Sequence, residues 1–197
     1  LIRLCQQCGT PFTFRAAGSS LSGQCSSEDV LIVCNDGFKK MEVIDDGKAL
    51  KCECGVIGSD ANDLLKPYNR KIGPDPATLA TALVGGILNN NCGTAQNSYK
   101  TIRSIRVVLL DGSILDTSDQ KSIDQFLKEK PQMVEDILQL RKDILADEEL
   151  THLIHHKYKI KNTTGYGLNS LVDFEDIIDI INHLFIGSEG TLGFVSE

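Results

Sequence analysis

Three glycine-rich segments constrain this chain more than anything else in it. They are Arg15-Ala16-Ala17-Gly18-Ser19-Ser20-Leu21-Ser22-Gly23, the stretch from Gly73-Pro74-Asp75-Pro76 to Gly85-Gly86 and Asn91-Cys92-Gly93, and Gly187-Ser188-Glu189-Gly190-Thr191-Leu192-Gly193. Glycine reaches positive φ without strain and lets the backbone pass close to another surface. Paired and repeated glycines beside apolar runs therefore mean sharp turns, tight packing, or a ligand held against the main chain. The first segment follows a strand-like run, and the third leads into one.

The second constraint is where the cations are not. Lys and Arg are absent from Ala16 to Phe38, from Ile72 to Tyr99 and after Lys161, and the formal charge is −7. A nucleic-acid surface needs a clustered basic footprint, so nucleic acid is not an expected partner. An anion held by these loops must be met by backbone N–H groups, serine hydroxyls and Arg15. Gly18 and Gly23 have Walker spacing, but Gln24 stands where the lysine belongs, which argues against an NTPase. No GxGxxG opens a helix, which argues against a Rossmann dinucleotide site. The plain reading of the first loop is a strand-to-helix turn, and that of the second is helix capping and turn chemistry. The ligand reading of the second is that three adjacent asparagines, Asn89 to Asn91, offer amides to a heterocycle edge.

The pattern along the chain predicts an α+β mixture with hairpins rather than regular βαβ alternation. Residues 1–8 read as a helix end stopped by Gly9 and Pro11. Pro11–Arg15 has strand character, and Val30–Cys34 reads as a short buried strand. Met41–Ile44 and Ala49–Ile57 flank Asp45-Asp46-Gly47 as a hairpin. Residues 67–78 are loop-like, and Ala77–Leu88 is helix-compatible. Ile102–Leu110 turns at Asp111-Gly112 into Ser113–Asp116, the clearest hairpin. Met133, Ile137, Leu140 and Ile144 recur at helical spacing, so 121–157 reads as two or more helices. Asp173 or Asp176 caps a last helix over 176–185.

Seven cysteines and no signal-peptide pattern point to plain reduced thiols rather than a disulfide framework. Zinc held by Cys5, Cys8, Cys52 and Cys54 is a rival reading. No run of 18 apolar residues offers a membrane span. The expected location is cytoplasmic, with peripheral attachment of a parent protein at the inner membrane left open. His152, His155, His156 and His183 read as surface or packed histidines. Leu1 opens inside an apolar pattern, so the chain is expected to be cut from a longer polypeptide.

Six stretches together resemble the FAD-binding domain of the vanillyl-alcohol oxidase / p-cresol methylhydroxylase family: TFRAAGSSLSGQ (13–24), IGPDPAT (72–78), GGILNNNCGT (85–94), IRVVLLDGSILDT (105–117), KNTTGYGL (161–168) and IGSEGTLGFVSE (186–197). They stand in the family's order over most of the chain. The branch looks like the FAD subunits of D-lactate dehydrogenase and glycolate oxidase, including long forms with an iron–sulfur region. The resemblance implies a two-lobed fold of p-cresol methylhydroxylase type with FAD between the lobes. The lobes are expected at 1–58 and 59–197, with a helical insertion at about 121–157. Val172–Asn182 reads as a second insertion.

By this match Ala17, Gly18, Ser19, Ser20, Leu21, Ser22 and Gly23 hold the diphosphate, with Arg15 beside them. Pro74, Asp75, Gly85, Gly86, Asn91, Cys92 and Gly93 line the adenosine, ribityl or flavin region. Glu189, Gly190, Thr191, Leu192, Gly193 and Val195 close the other side, and Thr164 and Tyr166 lie in a turn near the cofactor. The family's first strand and helix are expected to be partly missing, and its substrate domain to lie outside this chain. No catalytic residue or metal ligand is therefore assigned. Ser19 stands where some members carry a flavin-linked histidine, so FAD is expected to be non-covalent, with Cys92 as the remaining route to a link.

The activity implied is hydride transfer to FAD from a small D-2-hydroxy acid, D-lactate or glycolate-like, by a longer protein with an unidentified electron acceptor. The alternatives are another reaction on the same domain, of the alditol oxidase or enolpyruvyl reductase type, or a non-catalytic nucleotide-binding module.

Overall fold

The computed structural model describes residues 1–20, 23–93, 96–160, 162 and 165–197. Helix α1 (Ile2–Gln7) ends where Gly9 takes φ +61°. Strands β1 (Phe12–Arg15) and β2 (Val30–Val33) pair in parallel, Phe12 opposite Val30 and Arg15 opposite Val33. A parallel pair cannot close with a tight hairpin. Residues 16–29 make the crossover, and the first glycine loop lies in it. Strand β2 is not buried as its apolar run suggested. Its side chains alternate, and Val33 is 53% exposed. Among the described residues this sheet has two strands, and its Leu31 and Val33 side chains are exposed.

Strands β3 (Met41–Ile44) and β4 (Ala49–Cys52) form the expected antiparallel hairpin around a 3-10 turn, Asp45–Gly47. The strand pattern continues in sequence to Ile57, but the ladder stops at Cys52. The Cys54 N–H instead donates to the Ser196 carbonyl at 2.9 Å, tying this segment to the far end of the chain. Helix α2 (Gly58–Leu65) follows. The helix expected from Ala77 begins only at Val84, as α3 (Val84–Asn89). Leu83 is extended and bridges to Ile57, which competes successfully with an earlier helical start.

After α4 (Ser98–Thr101), β5 (Arg106–Leu109) and β6 (Ile114–Asp116) form the predicted hairpin, and β7 (Gly193–Val195) joins the other edge of β5, all antiparallel. Asp111 fixes the turn. Its carboxylate takes the Ser113 N–H and hydroxyl and pairs with Lys130. The Lys130 bond, then the Ser113 bonds, hold its carboxyl well below the usual carboxylate range. Helices α5 (Gln120–Glu129), α6 (Pro131–Ala146) and α7 (Glu148–Lys157) form the helical arm, followed by α8 (Ser170–Asp173) and α9 (Ile177–Leu184).

Helix α9 joins two cores. Ile181 packs with Ile105, Val107, Leu115, Phe126 and Val195. Ile180, one position earlier, packs with Ile144, Ile154 and Leu171 under the arm. Asp176, not Asp173, caps the helix, its Oδ1 accepting from the N–H groups of Ile178 and Asp179. Burying such side chains supplies roughly 1.5–3 kcal/mol each. The last turn of α9 thereby fixes where the third glycine loop starts.

Candidate functional site

The glycine segments meet at one cavity of about 280 Å³. Arg15, Ala17, Gly18, Ser19 and Ser20 line it from the first loop. Gly85, Gly86 and Cys92 line it from the second, and Glu189, Gly190, Gly193 and Val195 from the third. Gly23, Pro74, Asp75, Asn91, Gly93, Tyr166, Thr191 and Leu192 are not among the described lining residues. Leu21, Ser22 and Thr164 lie outside the described residues.

The first and third loops differ in what their backbones offer. Among the described residues, Ala17, Gly18 and Ser19 make no hydrogen bond, by main chain or side chain. Their N–H groups are donors in waiting beside the Arg15 guanidinium, whose atoms fold back over Gly18. Such successive unpaired N–H groups suit an anion. The third loop is satisfied within the protein. The N–H of Gly187 goes to Leu88 O, that of Ser188 to Phe185 O, that of Glu189 to Asn89 O and that of Thr191 to Ser188 O. It is a wall, not a cradle. Glu189 and Gly190 both take positive φ, +55° and +82°, to make its bend.

The asparagines make hydrogen bonds within the fold. Asn89 Nδ2 donates to Gly85 O, and its Oδ1 accepts from the Ser188 hydroxyl and the Gly190 N–H. Asn90 Nδ2 donates to Gly86 O. Asn91, buried and at φ +45°, donates to Asn162 O and accepts from the Tyr99 N–H. The amides of Asn89 and Asn91 clamp the second segment to its neighbours, while Asn90 bonds within its own helix, and Asn89 and Asn90 also line the cavity. Asp75 forms a surface pair with Lys71 at 3.1 Å. The Tyr166 hydroxyl shares a hydrogen bond with that of Thr191.

Sequence reasoning missed the apolar lining. Phe14 and Phe194 stack with ring centroids 4.6 Å apart, joining β1 to β7, and both line the cavity. Ala82, Leu83 and Ile87 contribute further apolar surface, and Cys25, Cys34 and Cys54 add thiols. The aromatic alternation of Phe12 and Phe14 was the one available signal. Burial pushes the Cys54 thiol up to about 12 and raises Cys34 as well, so both stay neutral. Arg15 is the sole cation and Glu189 the sole carboxylate among the described lining residues, and no His, Lys or Tyr is among them.

Two glycines show where space is kept. A Cβ on Gly86 would meet nothing nearer than the Ala16 Cβ at 3.4 Å, and one on Gly190 only Phe14 at 4.0 Å. A Cβ on Gly85 would sit 2.8 Å from the Cys54 Cβ. Gly85 is small because the protein packs against it, whereas Gly86 faces open cavity.

The sequence profile described as FAD binding domain matches residues 1–118. The chain is 28% identical over 195 residues to a D-2-hydroxyglutarate dehydrogenase of Pantoea ananatis, covering 94% of this chain and 19% of that protein. It is 24% identical to the glycolate oxidase subunit GlcD of Bacillus subtilis, covering 100% of this chain and 33% of the relative. The chain thus spans about a fifth to a third of the length of these curated relatives. Among solved structures, an alkyldihydroxyacetonephosphate synthase superposes with a TM-score of 0.58 at 16% identity, covering 100% of this chain and 28% of that one. The fold is the expected two-lobed α+β type.

Proposed function

The chain belongs to the FAD binding domain family, and from that premise we propose that it is the cofactor-holding part of a flavoprotein oxidoreductase that oxidises a D-2-hydroxy acid. The single observation that carries the reading is the set of unpaired N–H groups at Ala17, Gly18 and Ser19, beside Arg15, at the cavity where the three glycine segments meet. The residues fit the cofactor. An anionic diphosphate needs such donors, a planar ring needs a flat apolar surface, and Gly86 and Gly190 leave room at the main chain. A volume of about 280 Å³ falls just below the range of ligand cavities, roughly 300–1,000 Å³. It takes one part of a dinucleotide, with the rest across the loop mouths.

FAD, when bound, supplies the hydride acceptor for the carbinol carbon of the substrate. This chain's own residues bind, orient and dry the site. Arg15 and the first loop hold negative charge. Phe14, Phe194, Ala82 and Ile87 exclude water. The neutral Cys34 and Cys54 thiols offer no competing nucleophile, since the thiolate is the reactive form. No general base is assigned within this chain: the described lining offers no His, Lys or Tyr, and its one carboxylate, Glu189, stands in the third glycine loop. The hydroxy-acid class rests on the relatives' names, D-2-hydroxyglutarate dehydrogenase and glycolate oxidase subunit.

Titration of FAD into the purified chain, followed by flavin fluorescence, tests the first half: saturable one-to-one binding is expected, and none would overturn it. For the second half, the isolated chain should not reduce a dye with D-2-hydroxyglutarate, D-lactate or glycolate. The full-length protein should bleach its flavin with one of these acids, and failure with all three would reject the substrate class.

A further inference from the structure

We propose that His152 and His156 form a binding site for a divalent transition-metal ion of the copper(II) or nickel(II) class on the exposed face of α7. Residues four apart on a helix lie one above the other. Here the two rings are nearly parallel, 13° between planes, with centroids 6.5 Å apart. Both side chains are exposed, and among the described residues neither makes a hydrogen bond that would have to be broken. To share one ion, each exposed imidazole would turn from this stacked arrangement and present a nitrogen at about 2.0–2.1 Å from the metal.

Charges of both signs flank the pair, with Lys157 beside His156 in the last turn. Glu148 and Glu149 occupy the first turn of α7, one turn before His152. Two carboxylates at that distance lower the cost of added positive charge. The ring contact joins His152 to His156 and leaves out His155, although His155 is the immediate neighbour in sequence. No group of three His, Cys, Asp or Glu side chains converges among the described residues. The protein therefore supplies two imidazoles, and water fills the remaining positions. That donor set suits tetragonal or octahedral nickel and copper, whereas structural zinc sites take four protein ligands. The site lies on the helical arm, away from the cavity and independent of the cofactor reading.

Calorimetric titration of the chain with nickel(II) chloride, its thiols kept reduced, tests the proposal. One ion per chain is expected. His152→Ala and His156→Ala should each weaken binding by at least about tenfold, a loss of 1.4 kcal/mol, while His155→Ala binds as the parent does. All three side chains are exposed, so the variants should fold. Absence of binding by the parent chain, unchanged binding in both His152→Ala and His156→Ala, or loss on Cys8→Ser in place of the histidine variants would overturn it.

Discussion

Asn89 holds Gly190 in place across 101 residues of sequence: the side-chain oxygen of Asn89 accepts the Gly190 N–H at 3.3 Å, and the Ser188 hydroxyl donates to the same oxygen at 3.1 Å. The Asn89 main-chain carbonyl takes the Glu189 N–H at 3.0 Å. One residue at the C-terminal end of α3 therefore sets the position of the third glycine loop. Asn89→Leu keeps the volume but leaves the Ser188 hydroxyl and the Gly190 N–H without an acceptor. Stranded partly buried donors cost about 1–3 kcal/mol. The variant should melt several degrees lower by thermal denaturation and bind FAD more weakly.

Gly85 and Gly86 should respond oppositely to alanine. Gly85→Ala drives a Cβ into Cys54 and should destabilise the protein, by about 1–3 kcal/mol for an overpacked site. Gly86→Ala meets only ordinary contact at Ala16. Within α3 it should leave the cofactor-free chain as stable or slightly more so, by about 0.5–1 kcal/mol. Gly86→Val should then fold and lose FAD. Urea unfolding of the cofactor-free chain alongside FAD titration separates the two effects. Equal FAD affinity in Gly86→Val and the parent would remove Gly86 from the site.

Gly190 has room for a side chain but not the backbone angle. At φ +82°, valine costs about 1–2 kcal/mol in strain. Gly190→Val should lose stability and flavin together, read by melting temperature and by absorbance of the purified protein.

Bound FAD should leave the denatured chain. No histidine is among the described lining residues, and the first loop carries Ser19, whose hydroxyl is not an imidazole nucleophile. Acid or heat precipitation should give a yellow supernatant and a colourless pellet. A yellow pellet that turns colourless in Cys92→Ala would instead identify a thioether at Cys92, which lies in the cavity wall.

Stability should fall in mild acid because of His183. Its ring stacks on Phe174 at 4.0 Å, packs edge-on against Tyr99 at 4.7 Å, and bonds to Asp179 O at 2.6 Å. Burial lowers its pKa below the usual 6.5 despite the opposing Asp179 bond and the Asp179 and Asp173 charges. The unfolded chain then binds a proton before the folded one does. The neutral histidine's contribution is full above pH 6.5 and is lost as pH falls through the lower folded value, with a slope of at most about 1.4 kcal/mol per pH unit. His183→Phe should flatten the melting temperature between pH 7 and pH 5. An unchanged slope would acquit His183.

Sequence alone determined what is local. The glycine loops, the Asp111-Gly112 hairpin, the helical stripe of the arm and the stop at Gly9 are all short-range rules of backbone angle and side-chain period. The absence of Lys and Arg around the loops is likewise legible in the sequence itself. Tertiary structure decided the rest. Asn89 and Asn91 became clamps through partners brought from far along the chain, Ser188 and Gly190 for the first and Asn162 for the second, whereas Asn90 bonds to Gly86 O within its own helix and lines the cavity. The apolar wall of Phe14 and Phe194 comes from strands at opposite ends of the sequence, and burial raised the pKa of the Cys34 and Cys54 thiols. The physical reason is that an amide or a thiol has no fixed role of its own: its hydrogen-bond partners and its distance from water assign one, and both depend on contacts between segments that local sequence does not encode.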